Sequence, residues 1–531
     1  MAVKITIKNY RCFEDTCPLY FELGEGFISL VGPNNSGKSS LLKLFYEFRP
    51  LWQYLSNIRN INHSIDSPFR ADFIGISDPT EIFADKNNRS LSIEIEFFQE
   101  NENDFYFLSE VILTLERKEP LMWKATYSYG PNPKIKIRPN NLRSVSDKGD
   151  IIISDPDRND IKLNKFKELM ESLEKSIYIG PFRNAVNEGS GRYYDLNIGT
   201  AFIKQWNSWK TGNLKFQNST IQNITESIRK IFNYGSIEIN ASEDLKTLQI
   251  NIDNKPYKLK ELGAGLAQFI IVLGNVAIQK PPYILIDEPE TNLHPPLQLE
   301  FLTSLASYTS KGIIFATHSM GLARAASEKI YSFRKDNKEN KTDVKLLEQT
   351  PNYIEFMGEL NFSSYRELGY DAILLVEGVH DVKAIQQFLR KIGRDHKIVI
   401  IPLGGTQFIN GKIEMQLNEL KRITNNLFCL IDSECKDSTS LPSKQRIEFK
   451  ELCEKLGIKI CMTKKRAIEN YFTEKAIKKI FGDNSKALED YEELPIYWPK
   501  QRNWRIASEM NWEEIKDTDI GEFLKLLTKN D

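Results

Sequence analysis

The sequence has little cysteine, no long apolar run and almost no net charge. Its six cysteines form no Cys-x-x-Cys pair and have no histidine at metal-binding spacing, which argues against structural zinc and predicts reduced thiols in a cytoplasmic protein. No run of about 18 apolar residues occurs, so no membrane span is expected, and the amino terminus lacks the apolar core of a targeting segment. Internal repeats and low-complexity tracts are absent as well.

The formal net charge of the 531 residues is −1, which excludes a chain that binds nucleic acid through its bulk charge. Any groove for nucleic acid must therefore be a local patch. The composition, 41% hydrophobic and 27% charged residues, is that of an ordinary globular chain. The length predicts about two to four domains.

A phosphate-binding motif comes early in the chain. The apolar stretch Phe27–Val31 leads into Gly32–Ser40, and a helical pattern begins at Leu41. This is G-x-x-x-x-G-K-[ST] with a strand before it and a helix after it, the context that a P-loop requires. Lys38 is expected to reach the β and γ phosphates of ATP, and the Ser39 hydroxyl to hold Mg²⁺. The predicted nucleotide-binding residues of this loop are Asn34, Asn35, Ser36, Gly37, Lys38, Ser39 and Ser40.

Two later stretches complete the predicted ATPase. The apolar strand Tyr283–Ile286 ends in Asp287 and Glu288, which is the Walker B arrangement. Asp287 is expected to bind Mg²⁺ through water, and Glu288 to orient the attacking water. A further buried strand, Gly312–Thr317, carries His318 at its tip. The order of these motifs predicts a catalytic role for His318 beside Glu288.

That order resembles the ABC-type ATPases of the SMC, Rad50 and RecF group. In this resemblance Gly263-Ala264-Gly265 stands where the signature motif would be, and His318 is the switch histidine. The resemblance implies that Gly263 and Gly265 contact ATP held by another subunit, and hence a homodimer or higher homo-oligomer with shared sites. The ATPase domain is predicted to span residues 1–365, with a helical dimerisation insertion at about 190–240.

Carboxylates gather at the ends of predicted strands in the last third of the chain. Ile373–Val376 leads into Glu377, and Leu427–Ile431 leads into Asp432 and Glu434. Open α/β sheets place their active sites at the carboxyl ends of strands, so these acids are expected to meet. Neighbouring carboxylates repel one another unless divalent cations neutralise them, and the sequence therefore predicts a Mg²⁺ or Mn²⁺ site.

These acids resemble the site of a TOPRIM domain, the metal-dependent phosphoryl-transfer module of topoisomerases, primases and OLD-family (overcoming lysogenization defect) nucleases. The family has Asp-x-Asp where this chain has Asp432-Ser433-Glu434. The resemblance implies that Lys500 is a catalytic lysine and that the TOPRIM domain spans residues 366–531, after an exposed linker at Arg334–Lys341. The implied metal ligands are Glu377, Asp381, Asp432, Glu434 and Glu469.

The predicted fold class is therefore α/β, with an ABC-type P-loop ATPase domain followed by a Rossmann-like TOPRIM domain with a parallel sheet. This is the architecture of OLD-family nucleases, including the nuclease subunits of Gabija-like antiphage defence systems. The resemblance implies an ATP-regulated, Mg²⁺- or Mn²⁺-dependent endonuclease that cleaves nucleic acid, with DNA favoured over RNA, and leaves room for a partner protein from the same operon. Two alternatives stay open: an SMC- or RecF-like sensor or repair ATPase with a non-catalytic TOPRIM domain, and a TOPRIM ribonuclease acting on tRNA.

Overall fold

The computed structural model of the chain describes residues 3–85, 87–99, 106–130, 134–138, 142–145, 151–154, 160–181, 191–336, 341–347, 372–404, 414–423 and 426–527. These residues form mixed α/β structure. The predicted domain boundary between residues 365 and 366 lies outside them. No helix in the described part of the chain is long and apolar enough to cross a membrane.

The strands before residue 348 are β1 (Val3–Lys8), β2 (Leu19–Leu23), β3 (Gly26–Val31), β4 (Leu91–Phe97), β5 (Leu108–Leu115), β6 (Trp123–Tyr129), β7 (Ile135–Lys136), β8 (Leu142–Val145), β9 (Ile151–Ser154), β10 (Asp160–Lys162), β11 (Ile177–Ile179), β12 (Gly191–Tyr193), β13 (Leu196–Ile198), β14 (Ile237–Ala241), β15 (Leu248–Ile252), β16 (Lys255–Lys258), β17 (Tyr283–Asp287), β18 (Gly312–Thr317), β19 (Lys329–Asp336) and β20 (Lys341–Leu346). The α-helices of the same part are α1 (Lys38–Glu47), α2 (Arg49–Ser56), α3 (Ile58–Asp66), α4 (Asn164–Glu174), α5 (Gly199–Thr211), α6 (Lys215–Ile231), α7 (Ala264–Gln279), α8 (Pro295–Ala306) and α9 (Met320–Ala326).

The strands after residue 371 are β21 (Ala372–Val376), β22 (Ile398–Pro402), β23 (Leu427–Ile431) and β24 (Lys459–Met462). The α-helices are α10 (Val379–Lys391), α11 (Glu414–Ile423), α12 (Lys444–Lys455), α13 (Glu474–Phe481), α14 (Asn503–Glu509) and α15 (Asp519–Leu526). Short 3₁₀ turns include Ile468–Tyr471 and Lys500–Arg502.

An antiparallel sheet with the order β2-β1-β4-β5-β6-β7 covers one side of the amino-terminal part. Apolar and polar residues alternate along its strands, so that Ile93 and Ile95 are buried while Glu94 and Glu96, which alternate with them, are partly exposed. The buried face packs against α1 and α2, with Phe45 and other apolar side chains in one core.

A second sheet, called here the P-loop sheet, has the order β11-β17-β18-β3-β19-β20, and all neighbours are parallel except β19 and β20. Its strands are buried on both faces: Tyr283 and Leu285 lie in the core beneath the antiparallel sheet, and Ile284 and Ile286 in the core with α7 and α8. Because β17, β18 and β3 are neighbours, the loops that follow them meet at one edge of the sheet.

Two stretches differ from the sequence-based expectation. Within residues 190–240 only α5 and α6 are helical, because Gly191–Ile198 folds as a hairpin and Ile237 begins a three-stranded antiparallel sheet. The predicted linker Arg334–Lys341 begins inside β19, whose last residues pair with β20. The charged end of β19 extends beyond the residues that pair with β3, so it pairs with β20 on one side only. A role of the insertion in dimerisation stays a prediction.

The carboxyl-terminal part contains a four-stranded sheet with the order β22-β21-β23-β24, in which all neighbours are parallel. Leu374 and Val376 face one core, which includes residues of α10 and α15, and Ile373 and Leu375 face the other, which includes residues of α12. The prediction of a parallel sheet is confirmed. Glu377 and Asp432 follow two adjacent strands of it.

Buried polar contacts join the two parts of the protein. Lys383 on α10 is fully buried and pairs with Glu328, which lies between α9 and β19. Arg390, also on α10, pairs with Glu300 of α8. Trp504 of α14 lies in the apolar core of the P-loop sheet. The carboxyl-terminal part is therefore packed against the strands and helices that carry the P-loop.

Candidate functional site

The P-loop has a backbone that only glycine permits at two points. Gly37 has φ +98°, and a Cβ there would lie 2.7 Å from the Cys12 Sγ. A Cβ at Gly32 would lie 2.3 Å from the carbonyl oxygen of Phe333. The loop runs from β3 into α1, which begins at Lys38, so its N–H groups are arranged around the amino end of a helix where phosphate binds well.

Lys38 is folded back onto its own loop. It is buried, and its Nζ donates hydrogen bonds to the carbonyl oxygens of Gly32 at 2.7 Å and Pro33 at 2.9 Å. Burial lowers the pKa of Lys38, and the nearby carboxylates of Asp287 and Glu288 oppose that shift. These contacts hold the Lys38 ammonium group within the P-loop, where the phosphate oxygens of a nucleotide would accept its hydrogen bonds instead.

The other predicted residues of the loop surround Lys38. Asn34 and Asn35 are exposed, Ser36 is buried, and Ser39 and Ser40 at the start of α1 are partly exposed. Burial raises the pKa of Asp287, and a hydrogen bond from Ser39 acts in the opposite direction. Ser39 and Asp287 are thus adjacent, as the shared coordination of one Mg²⁺ would require.

Glu288 and His318 meet beside this pair. The Glu288 N–H donates to the carbonyl of Ala316 at 2.9 Å, which ties the end of β17 to β18. The His318 Nε2 lies 3.7 Å from Glu288 Oε1. Glu288 has φ +53°, a left-handed conformation that costs energy for a residue with a side chain. The structure therefore brings Glu288, predicted to orient the attacking water, close to His318, the switch histidine of the resemblance.

Glu290 is a residue that the sequence reasoning missed. Its Oε1 accepts hydrogen bonds from the Thr317 hydroxyl at 2.7 Å and from the His318 N–H at 2.8 Å. It therefore fixes the tip of β18 against the loop after β17. The available signal was a third acid in Asp287-Glu288-Pro289-Glu290, which the sequence places directly after the apolar strand.

The predicted signature lies at the start of α7. Gly263 precedes the helix, is exposed, and has no atom within 4 Å of where a Cβ would stand. A Cβ at Gly265 would lie 2.9 Å from the carbonyl oxygen of Asn292, so this glycine is required by its own chain. Gly263 thus presents an open helix start to its surroundings, whereas Gly265 packs against the loop after Glu288.

A second site lies at the carboxyl edge of the parallel sheet. A cavity of 570 Å³ is lined by Lys500 and by all five predicted metal ligands. We call these acids the carboxylate cluster: Glu377, Asp381, Asp432, Glu434 and Glu469. They come from the ends of β21 and β23, the first turn of α10 and the 3₁₀ turn Ile468–Tyr471. Residues separated by up to 92 positions in the sequence are thereby brought to one cavity.

Several acids of the cluster are oriented by hydrogen bonds that leave oxygens for a ligand. Asp381 Oδ2 accepts the Gly378 N–H at 2.8 Å, and Asp432 Oδ1 accepts the Ile468 N–H at 3.0 Å. Glu469 is 2% exposed, and its Oε1 accepts a hydrogen bond from Asn503 Nδ2 at 2.9 Å. The buried Oε2 of Glu469 has no hydrogen-bond partner among the described residues. Such an unsatisfied buried oxygen indicates a missing ligand.

The acids of the carboxylate cluster outnumber the cationic side chains that line the cavity. Burial and, after it, repulsion from the charges of Glu469 and Glu377 together raise the pKa of Asp381 to about 7. Burial also raises the pKa of Asp432, together with repulsion from Asp381 and Glu469. A divalent cation would remove both effects. The donor chemistry therefore fits Mg²⁺ or Mn²⁺, which prefer carboxylate oxygens.

Lys500 lies at the rim of this cavity. Its Nζ is 3.7 Å from Glu469 Oε1, and about half of its side chain is exposed. Burial alone would lower its pKa, but Glu469, Asp381 and the other acids raise it above the usual value, so the side chain stays protonated. The structure places this lysine beside Glu469, and its catalytic role stays a prediction.

Arg446 on α12 contacts two acids of the carboxylate cluster, and the sequence did not indicate this. It is 1% exposed, and its two terminal nitrogens each donate to one oxygen of Glu377, both at 3.0 Å. Nη2 also lies 2.9 Å from Glu434 Oε1. Among the residues described by the structure, no three acidic, histidine or cysteine side chains already stand as ligands of one ion. Arg446 gives a physical reason, since it holds two of the five acids.

Comparison with known proteins gives a family for the amino-terminal part. The family model described as an AAA ATPase domain matches residues 1–323. No curated protein matches the sequence significantly. The match confirms the predicted ATPase in the part of the chain that carries the P-loop, Asp287, Glu288 and His318.

Solved structures that align with the chain include SMC head domains. One, bound to the C-winged helix domain of ScpA, is 13% identical with TM-score 0.35, and the alignment covers 65% of this chain and 96% of that one. The SMC head domain from Thermotoga maritima is 13% identical with TM-score 0.33, covering 65% and 98%. An SMC head with an extended coiled coil bound to the C-terminal domain of ScpA, derived from Pyrococcus furiosus, is 12% identical with TM-score 0.35, covering 65% and 96%. At these TM-scores the alignments support no conclusion about this chain.

Proposed function

The chain belongs to the AAA ATPase domain family, and we propose that it is an ATP-regulated nuclease of the OLD type, whose carboxyl-terminal TOPRIM domain cleaves nucleic-acid phosphodiesters with Mg²⁺ or Mn²⁺. The observation that carries this proposal is the carboxylate cluster with Lys500 in one cavity at the carboxyl edge of a parallel sheet. The domain division at about residues 365 and 366 is part of the proposal.

In the amino-terminal site, Lys38 moves from the carbonyls of its loop to the β and γ phosphates of bound ATP. Ser39 and Asp287 hold the nucleotide's Mg²⁺, and Glu288 orients the attacking water. His318, 3.7 Å from Glu288, stays close to the γ phosphate through the hydrogen bonds that Glu290 makes to the tip of β18. Gly263 and Gly265 of a second subunit close the site, which makes the active form a homodimer or a higher homo-oligomer.

In the carboxyl-terminal site, the five acids of the carboxylate cluster hold the catalytic cations. When bound, such ions activate water and stabilise the leaving oxygen of a phosphodiester. Asp381 and Asp432 supply carboxylate oxygens. The pKa values of both groups are raised by burial and by the neighbouring acids, so a bound cation would stabilise their charged forms. Lys500 offsets charge that develops on the scissile phosphate, since its half-exposed side chain lines the cavity beside Glu469.

The cavity recognises a phosphate group and not a sugar or a base. DNA as the substrate is therefore inferred from the family resemblance alone. Antiphage defence and a partner protein from the same operon are implied by the same resemblance. Helix α10 packs against α8 and α9. Because α9 begins two residues after His318 and α10 begins two residues after Glu377, this packing connects the nucleotide site with the carboxylate cluster, which supports regulation by ATP.

The test is a cleavage assay of the full chain on plasmid DNA and on total tRNA, with Mg²⁺ or Mn²⁺, with and without ATP. Metal-dependent cleavage of DNA that is lost in Asp432→Asn and retained in a variant of an exposed acid, Glu454→Gln, supports the proposal. Cleavage of tRNA alone makes the protein a TOPRIM ribonuclease. If neither substrate is cut and Mn²⁺ does not bind, the protein is a sensor or repair ATPase with a non-catalytic carboxyl-terminal domain.

A further inference from the structure

Arg446 contacts three residues of the carboxylate cluster at once. It extends from α12 to the ends of β21 and β23, where it pairs with both oxygens of Glu377 and one oxygen of Glu434. It also donates to the backbone carbonyl of Asp432. A planar guanidinium suits this arrangement because its N–H groups form a fixed fork that matches a carboxylate.

These contacts occupy oxygens that a cation would use. Glu377 is 9% exposed and Arg446 is 1% exposed, so the pair is screened little by water. Asp381, Asp432 and Glu469 line the same cavity without such a bidentate partner in the described contacts. The cluster thus has two parts: Glu377 and Glu434 are paired with the buried Arg446, whereas Asp381, Asp432 and Glu469 have the half-exposed Lys500 nearby.

We propose that Arg446 is a positioning residue that competes with the catalytic cation: it holds Glu377 and Glu434 together in the metal-free protein and releases one or both oxygens of Glu377 when the ion binds. This inference rests on the proposed function, because it concerns the ion that the carboxylate cluster would hold. The guanidinium keeps acids from two strands at one place, and its charge lowers the affinity of the cluster for a divalent ion.

The competition has a direction that an ordinary structural role does not share. If Arg446 only supported the fold, its loss would disorder the acids and weaken metal binding. If it competes, its loss frees Glu377 and removes a positive charge a few ångströms from the ion, and metal binding becomes about tenfold or more tighter. Lysine in its place keeps the charge but contacts a single oxygen, so its affinity should be intermediate.

The experiment is titration calorimetry of Mn²⁺ into the nucleotide-free full chain, comparing the unaltered protein with Arg446→Met and Arg446→Lys. The order of affinity expected is Met above Lys above the unaltered protein. Asp432→Asn in the Arg446→Met background should abolish the binding, which assigns the measured heat to the cluster. Arg390→Met is the control, since it removes a partly buried arginine that pairs with a buried carboxylate, Glu300, away from the cavity.

Thermal unfolding of the same proteins gives a second measurement. Without metal, Arg446→Met should unfold at a lower temperature, because three carboxylate contacts lose their cation, and Mn²⁺ should raise its midpoint more than that of the unaltered protein. If Arg446→Met does not fold, Arg446→Lys decides the matter in the same two measurements. Unchanged or weaker Mn²⁺ binding by a folded Arg446 variant overturns the inference alone. Absence of Mn²⁺ binding in every protein tested overturns the proposed function together with it.

Discussion

The nucleotide site and the carboxylate site differ in what they lack. In the nucleotide site, Lys38 donates hydrogen bonds to two carbonyl oxygens of its own loop and lies near the carboxylates of Asp287 and Glu288. The carboxylate site has five acids, of which two are paired with the buried Arg446, and the half-exposed Lys500 lies beside Glu469. The nucleotide site therefore suits an anion that arrives with its own cation, as ATP does with Mg²⁺. The carboxylate site suits divalent cations.

The two sites also differ in how they are built. The P-loop is one continuous stretch whose backbone is fixed by Gly32 and Gly37, so its geometry is set before any ligand arrives. The carboxylate cluster depends on side chains from several elements, and its order depends on contacts such as Asn503 to Glu469. Loss of one side chain should therefore damage the second site more than the first.

The largest effect is expected from Asp432→Ala. This change removes a ligand that projects from the end of β23, and cleavage should fall by about a thousandfold or more. ATP hydrolysis should stay near its original rate, since the P-loop sheet is untouched. The measurement is cleavage and ATP hydrolysis on the same preparation, with Glu454→Ala as control, an exposed acid of α12. Equal cleavage by both variants would remove Asp432 from the site.

A second effect separates binding from hydrolysis in the nucleotide site. Glu288→Gln keeps the P-loop intact and should slow ATP hydrolysis by about a hundredfold or more while ATP still binds and holds a closed dimer. Lys38→Ala should instead weaken ATP binding itself. Binding is measured with a fluorescent ATP analogue and hydrolysis by phosphate release. Normal turnover by Glu288→Gln would show that another group orients the water.

A third effect concerns the contact that connects the two sites. Lys383 is 0% exposed, and Lys383→Met takes the ammonium away from Glu328, leaving the carboxylate with weaker partners such as His380. Breaking a buried pair in this way should lower the free energy of unfolding by about 3 kcal/mol.

The measurement for Lys383 is chemical denaturation. Lys329→Met is the matched control, because Lys329 pairs with Glu22 where both side chains are about one-third exposed, and its loss should cost about 1 kcal/mol or less. Adding Glu328→Gln to Lys383→Met should restore part of the lost stability. Equal losses in the two single variants would mean that the contact between the parts contributes little.

Contiguous motifs made most of the nucleotide site predictable. Strand, turn and helix follow one another within a short stretch around Lys38, and the apolar runs before Asp287 and His318 are each long enough to identify a buried strand. The family match to residues 1–323 confirms the ATPase that these motifs predicted. Glu290 was missed because its partners, Thr317 and the His318 N–H, lie on a different strand.

The carboxylate site was only partly predictable for the same reason. Glu377 and Asp432 follow apolar strands, so local sequence identifies them, and the structure brings them to one cavity. Arg446 lies 69 residues after Glu377 on an ordinary charged helix, and nothing in its neighbourhood distinguishes it. Glu434 has φ +53°, a conformation that follows from the tertiary fold and not from its residue type. Long-range partners of charged residues are where the sequence alone failed.

The smallest expected effect tests whether one chain or two chains build the nucleotide site. Lys38→Ala disables a P-loop, and Gly263→Asp disables a signature at an exposed helix start, where the added Cβ has no described atom of its own chain within 4 Å. If each site takes its P-loop from one chain and its signature from another, a mixed dimer retains one intact site of two. Random mixing makes half of the dimers mixed, so the mixture should recover about a quarter of the original ATP hydrolysis, although each variant alone is inactive. Phosphate release is measured after the two variants are unfolded and refolded together, and the presence of mixed dimers is verified with two affinity tags. An inactive mixture that contains verified mixed dimers would mean that each chain completes its own site.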